Sequence, residues 1–182
     1  MKNKFLSLLA ASALAVGSLT PVKATEGVVE GHRALWQAIR EVGVITLINN
    51  PQICRDDISG AYDSSRGILV ICQENARGVN QVEWTAYDFD TLRHEAHHLI
   101  QDCAVGRIGD SQMARMFEDY DEHRNFIKNT LTASEVRQII KAYRENGATN
   151  KDILIELEAF AVADSISAEQ IANKVLDWCG DL

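Results

Sequence analysis

Three of the five histidines in this 182-residue chain fall within five residues, in the stretch Thr91-Leu-Arg-His-Glu-Ala-His-His-Leu-Ile-Gln-Asp-Cys103. No other feature constrains the fold as much. Each residue of an α-helix turns by about 100°, so with His94 as origin His98 stands near 40°, Glu95 near 100° and His97 near 300°. Leu92, Ala96, Leu99 and Cys103 gather on the far side, between about 140° and 200°. The spacing predicts a helix that turns one apolar stripe to a core and presents His94 and His98 on the opposite face.

His94 and His98, one turn apart, can bring two imidazole nitrogens to about 2.0–2.1 Å from a single zinc ion. Glu95 lies about 60° from His98, beside such an ion and not under it. A carboxylate placed there can take a proton from metal-bound water without becoming a ligand. The rival pair His94 and His97 would leave Glu95 about 160° round from His97, out of reach of the same site. The geometry therefore selects His94 and His98, with His97 as a flank.

A catalytic zinc site takes three protein ligands and keeps one position open. Asp102 is eight residues from His94, about 12 Å along a helix, too far to close on the same ion. The continuation HExxHxxGxxH is absent, because Gln101 and Ala104 stand where its glycine and third histidine belong. The remaining source is a carboxylate on another helix. In Glu156-Leu-Glu-Ala-Phe-Ala-Val-Ala-Asp164 two acidic residues interrupt an otherwise apolar helix. A buried carboxylate needs a partner, and a metal ion is a good one. Spacing leaves Glu156 and Glu158 both open.

With these two segments the chain resembles the gluzincin metallopeptidases, which carry HExxH on one helix (His94-Glu95-Ala96-His97-His98) and a glutamate followed by alanine (Glu158-Ala159) on a later one. The resemblance implies zinc at His94, His98 and Glu158, Glu95 as general base, and a peptide or protein substrate. It also implies that strand Ile68–Cys72 is the edge strand against which the substrate lies. The family's further aspartate is not matched, since Asp164 comes six residues after Glu158. Tyr120, His123 and Tyr143 are candidates for stabilising an oxyanion. The alternative function is a non-catalytic zinc-binding or interaction protein. A ferritin-like di-iron bundle needs two ExxH motifs, and this chain has one, Glu95-x-x-His98.

The N-terminus bears on where such a protein works. Lys2 and Lys4 precede an apolar run from Phe5 to Val16, and Val22-Lys23-Ala24 offers small residues for cleavage, the pattern of a secretory signal peptide over 1–24. The run is too short for the roughly 20 apolar residues that a bilayer needs. Removing 24 of 182 residues would leave 158, one domain over 25–182, and would carry off Lys2, Lys4 and Lys23, moving the net charge from −8 to −11. So acidic a protein repels nucleic-acid phosphates. The expectation is a secreted or periplasmic protein with no nucleic-acid partner and no stable membrane insertion after cleavage. Its oligomeric state is left open.

All four cysteines lie beyond the leader, an even number in an exported chain, and no two form a CxxC pair. The layout favours Cys54–Cys72, stapling a sheet, and Cys103–Cys179, pinning the histidine helix to the last one. Turn formers around Ala61-Tyr62 and Ile68–Cys72 predict a hairpin or small sheet. Glu30 to Ile48 reads as a first helix running into an apolar stretch, ended by Asn49-Asn50-Pro51. After Asp88 the chain reads as helix throughout: one opened by Asp90 or Thr91, one over 111–128, then three more capped by Thr132, by Thr149 or Asn150, and by Ser167. The fold class is α+β, a mostly helical zincin-like domain with a small sheet near its N-terminal side.

Overall fold

The computed structural model describes residues 26–55, 58–76 and 81–180; the leader expected over 1–24 lies outside them. Six helices and three strands follow in the order α1 (Glu26–Glu41), β1 (Ile45–Ile48), β2 (Gly60–Asp63), β3 (Ile68–Ile71), α2 (Ala86–Cys103), α3 (Tyr120–Thr130), α4 (Ala133–Glu145), α5 (Asn150–Ser165) and α6 (Ala168–Cys179). The mostly helical α+β class expected from the sequence is what is found.

Four helices start where their side chains say they should. Thr85, Thr132, Thr149 and Ser167 each accept a hydrogen bond from the amide three residues on, and the residue there bonds back to the cap. Three of those boxes were legible. The fourth shows that α2 begins at Ala86 behind Thr85, not at Asp90 or Thr91.

The sheet corrects two expectations. Ile45–Ile48 is not the end of the first helix but a strand, paired in parallel with β3 from Ile45↔Ile68 to Ile48↔Ile71. Gly43, at φ 88°, breaks the helix before it. β2 and β3 form the expected antiparallel hairpin, turned by Asp63, whose carboxylate accepts from the Ser65 amide at 2.9 Å. The sheet order is therefore β1-β3-β2, which makes β3 the central strand. The edge strand beside the histidine helix is β2.

The helix expected over 111–128 begins only at Tyr120. Tertiary partners claim the amides before it: Ser111 donates to Ser64 O (2.9 Å), Ala114 to Gln101 O (3.0 Å) and Met116 to the Glu158 carboxylate. Those bonds replace the helical ladder over that stretch.

The main core joins the first and last helices to the sheet and α2. Leu35, Ala38 and Ile39 of α1 pack with Ile171, Ala172 and Val175 of α6 around Leu69, Ile71, Leu92 and Leu99. A second core, with Ile127, Leu131, Ile139, Tyr143, Ile153, Leu157 and Ala161, binds α3 and α4 to α5. Both disulfides form as the layout suggested, Cys54–Cys72 and Cys103–Cys179. Among the described residues no helix is long and apolar enough to cross a membrane.

Candidate metal centre

α2 enters the interior with almost its whole second half buried, and α5 crosses it with a nearly unbroken apolar sequence. Burial on this scale leaves the polar side chains of the two helices to find partners within the protein. They sort into two clusters.

The first contains His94, His98 and Glu156, all at most 5 % exposed. Their Nε2 atoms stand 3.0 Å apart, and each lies 3.3 Å from Glu156 Oε2. Ligand atoms held about 2.0–2.1 Å from a tetrahedral ion are themselves about 3.3 Å apart. The triangle thus has the size that three protein ligands take around one cation. Its hydrogen bonding points the same way. Glu156 Oε2 is buried and among the described residues finds no well-formed hydrogen bond, although two imidazoles approach it. Among the described residues this is the group that can hold a metal ion, and its mixed nitrogen and oxygen donors suit a divalent transition metal.

One positive charge balances the cluster in the protein alone. Burial disfavours the imidazolium on His98, but the Glu156 carboxylate outweighs it and raises the ring to about 9. At His94 burial prevails and the pKa falls. Glu156 is itself held well below the usual carboxylate range, its burial outweighed by the charge on His98 and by the close approach of the two rings.

Glu95 sits next to this triangle and outside it, 2 % exposed. Burial raises its carboxyl to about 8; the charge of His98 and the backbone amide of Tyr62 oppose the shift, while Glu156 adds to it. Its place under β2 depends on Gly60. A Cβ there would meet Thr91 Cγ2 at 2.6 Å and Glu95 Cγ at 3.1 Å, so only glycine lets the strand close on this helix.

The second cluster surrounds Glu158, the residue that the family pattern implies as third ligand. Glu158 does not join His94 and His98. Its Oε1 accepts from His97 Nε2 (2.8 Å), Gln101 Nε2 (3.0 Å) and the Met116 amide (3.0 Å), and its Oε2 lies 3.2 Å from His123 Nε2. These donors outweigh burial and hold its pKa at about 2. Glu156 and Glu158 are two positions apart on one helix, so their side chains leave it in different directions. One meets the His94–His98 face and the other meets His97.

The remaining candidates are also placed. Asp102 receives the Tyr62 hydroxyl at 2.6 Å, far from any ligand role. Asp164 is exposed. Tyr120 is 53 % exposed, with its ring under Arg115, and His123 belongs to Glu158. Tyr143, 3 % exposed, turns its hydroxyl toward Glu156 without a well-formed hydrogen bond; burial and the nearby charges of Glu156 and Glu95 raise its pKa well above that of a free tyrosine.

One functional contact went unread in the sequence. Gln101, three residues after His98 on the same helix, accepts at Oε1 from His98 Nδ1 at 2.8 Å. An i,i+3 inspection beyond the histidines would have found it. No protein-family model, curated protein or solved structure matches the chain.

Proposed function

We propose that the protein is an exported zinc-dependent peptidase, with His94, His98 and Glu156 as the metal ligands and Glu95 as general base. The observation that carries this reading is the three-atom triangle of ligand size with a second, non-ligating carboxylate at its side. When bound, zinc supplies a Lewis acid and an acidified water. The Glu95 carboxylate is the group positioned to take a proton and to return it to the leaving amine. Burial raises its carboxyl to about 8 in the protein alone, and a cation held by the neighbouring triangle would favour the ionised form that a base needs. Of the three candidates for stabilising an oxyanion, Tyr143 is the one beside Glu156 and Glu95. The two disulfides fit a non-reducing, extracellular setting, which agrees with the leader read from the sequence.

A second reading rests on burial. His94, Glu95, His98, Glu156 and Tyr143 are all at most 5 % exposed, which suits a metal-binding module without catalysis as well as a closed enzyme. Glu95→Gln separates the two. Zinc should remain near one ion per chain by elemental analysis, while cleavage of a broad peptide library should fall by about 10²–10⁴-fold, the scale of lost general acid–base help. Glu156→Gln should instead weaken zinc binding. A Glu95→Gln variant that cleaves as well as the parent overturns the mechanism. A zinc-loaded parent that cleaves no peptide favours the binding module.

A further inference from the structure

The Glu158 cluster has no part in the proposed chemistry, yet it touches the metal centre through one side chain. Gln101 is fully buried, and both polar atoms of its side chain are engaged. Its Nε2 donates to Glu158 Oε1 at 3.0 Å and to Ile155 O at 3.2 Å, both pure acceptors. The amide therefore cannot be turned over, and its oxygen must be the atom that faces His98 Nδ1 at 2.8 Å. An oxygen there requires a proton on Nδ1. In a neutral imidazole that leaves the lone pair on Nε2, the atom at the triangle.

Glu158 is what keeps Gln101 in this sense. Its carboxylate is immobilised by His97, by the Met116 amide and by the approach of His123. The Nδ1 atoms of His94 and His97, by contrast, are buried without a protein partner among the described residues. Only one of the two histidine ligands thus has its tautomer set by another side chain.

We infer that Gln101, anchored by Glu158, is a positioning residue that fixes the Nδ1–H tautomer and ring orientation of His98 for metal binding. This rests on the metal-centre reading above and deepens it. A carboxylate two positions from the ligand acts through an amide on the facing helix, and so ties the centre to α3 and the 111–119 segment.

Cobalt(II) binding to the full chain tests it. Cobalt reports affinity by chelator competition, and its visible absorption reports ligand geometry, neither of which needs turnover. Gln101→Met keeps the length of the side chain and removes both hydrogen-bonding functions. It should lower cobalt affinity by about 10–100-fold, the scale of lost support behind a metal ligand, and shift the visible bands. Glu158→Gln, acting at one remove, should lower affinity less and in the same direction. Ile100→Val, a buried change on the same helix with no side-chain hydrogen bond, should leave both readouts at the parent's values. Should Gln101→Met misfold, Glu158→Gln against Ile100→Val decides the matter alone. Parental affinity and spectrum in the Gln101 and Glu158 variants overturn the positioning role, as does an equal loss in Ile100→Val. A parent that binds no cobalt overturns the metal-centre reading itself, and this role with it.

Discussion

Gly60→Ala tests how tightly β2 is closed on the helix that carries the site. Gly60 does not have a positive φ, so alanine is free to adopt its backbone. The cost is steric. The new Cβ would stand 2.6 Å from Thr91 Cγ2 and 3.1 Å from both Glu95 Cγ and Val70 O. Thr91 cannot simply swing aside, because its hydroxyl donates to Tyr87 O at 2.9 Å, and Val70 O is backbone of the neighbouring strand. Overpacking of this kind costs about 1–3 kcal/mol. Alanine recovers about 0.4–1 kcal/mol by restricting the unfolded chain. The net loss is then roughly 0–2.6 kcal/mol, or up to about 10 °C in Tm for a chain of this size. Gly27 on α1 is the control, since among the described residues nothing lies within 4 Å of its Cβ position; Gly27→Ala should leave Tm unchanged or raise it slightly. Calorimetry of both variants, with disulfides intact, gives the comparison. If Gly60→Ala melts above the parent, β2 does not lie on α2 as described and the placement of Glu95 falls with it.

Three further outcomes follow from the same contacts. His98→Ala should abolish stoichiometric zinc in elemental analysis while His97→Ala retains it, since His97 faces Glu158; the opposite pattern would refute the assignment. Reducing Cys103–Cys179, with 76 residues of separation, should cost about 4–5 kcal/mol in the chain-entropy account, against about 3 kcal/mol for Cys54–Cys72; single Cys-to-Ser pairs in denaturant measure both, and a larger loss for the shorter loop would count against it. Asp102 is raised to about 6 by burial, which outweighs the bond from Tyr62, and one of its oxygens has no partner among the described residues. A folded pKa above the unfolded one favours folding at low pH, so up to about 3 kcal/mol from this group should be lost as pH rises from 4 through 6. Asp102→Asn should flatten that slope in denaturant titrations, and an unchanged slope would show that the group does not titrate there.

What the sequence disclosed was what neighbours along the chain decide. The His94–His98 face, the capping residues Thr132, Thr149 and Ser167, and the hairpin turn at Asp63 all rest on contacts within four residues. The misses have the opposite character. Ile45–Ile48 became a strand because β3 offered an unpaired edge, and an apolar run of four cannot declare that in advance. Residues 111–119 left the helical state because Ser64, Gln101 and Glu158 claimed their amides. The choice between Glu156 and Glu158 depended on which side of α5 meets which side of α2. A family pattern of glutamate followed by alanine pointed to Glu158, but the rotation of the helix brought Glu156 to the histidines.

The pairing of α1 with α6 has a consequence for the order in which the molecule can be made. Leu35 and Ile39 find their burial against Ile171 and Val175, more than 130 residues away in synthesis. A chain that emerges N-terminus first carries α1 with its apolar face unsatisfied until the final helix is out. The Cys103–Cys179 bridge waits for the same event. Hairpin and capped helices can form as they appear, but the main core cannot close until then. Loss of the last dozen residues would strip the core from the first helix as surely as from the last, and a prematurely terminated chain should be cleared rather than stored.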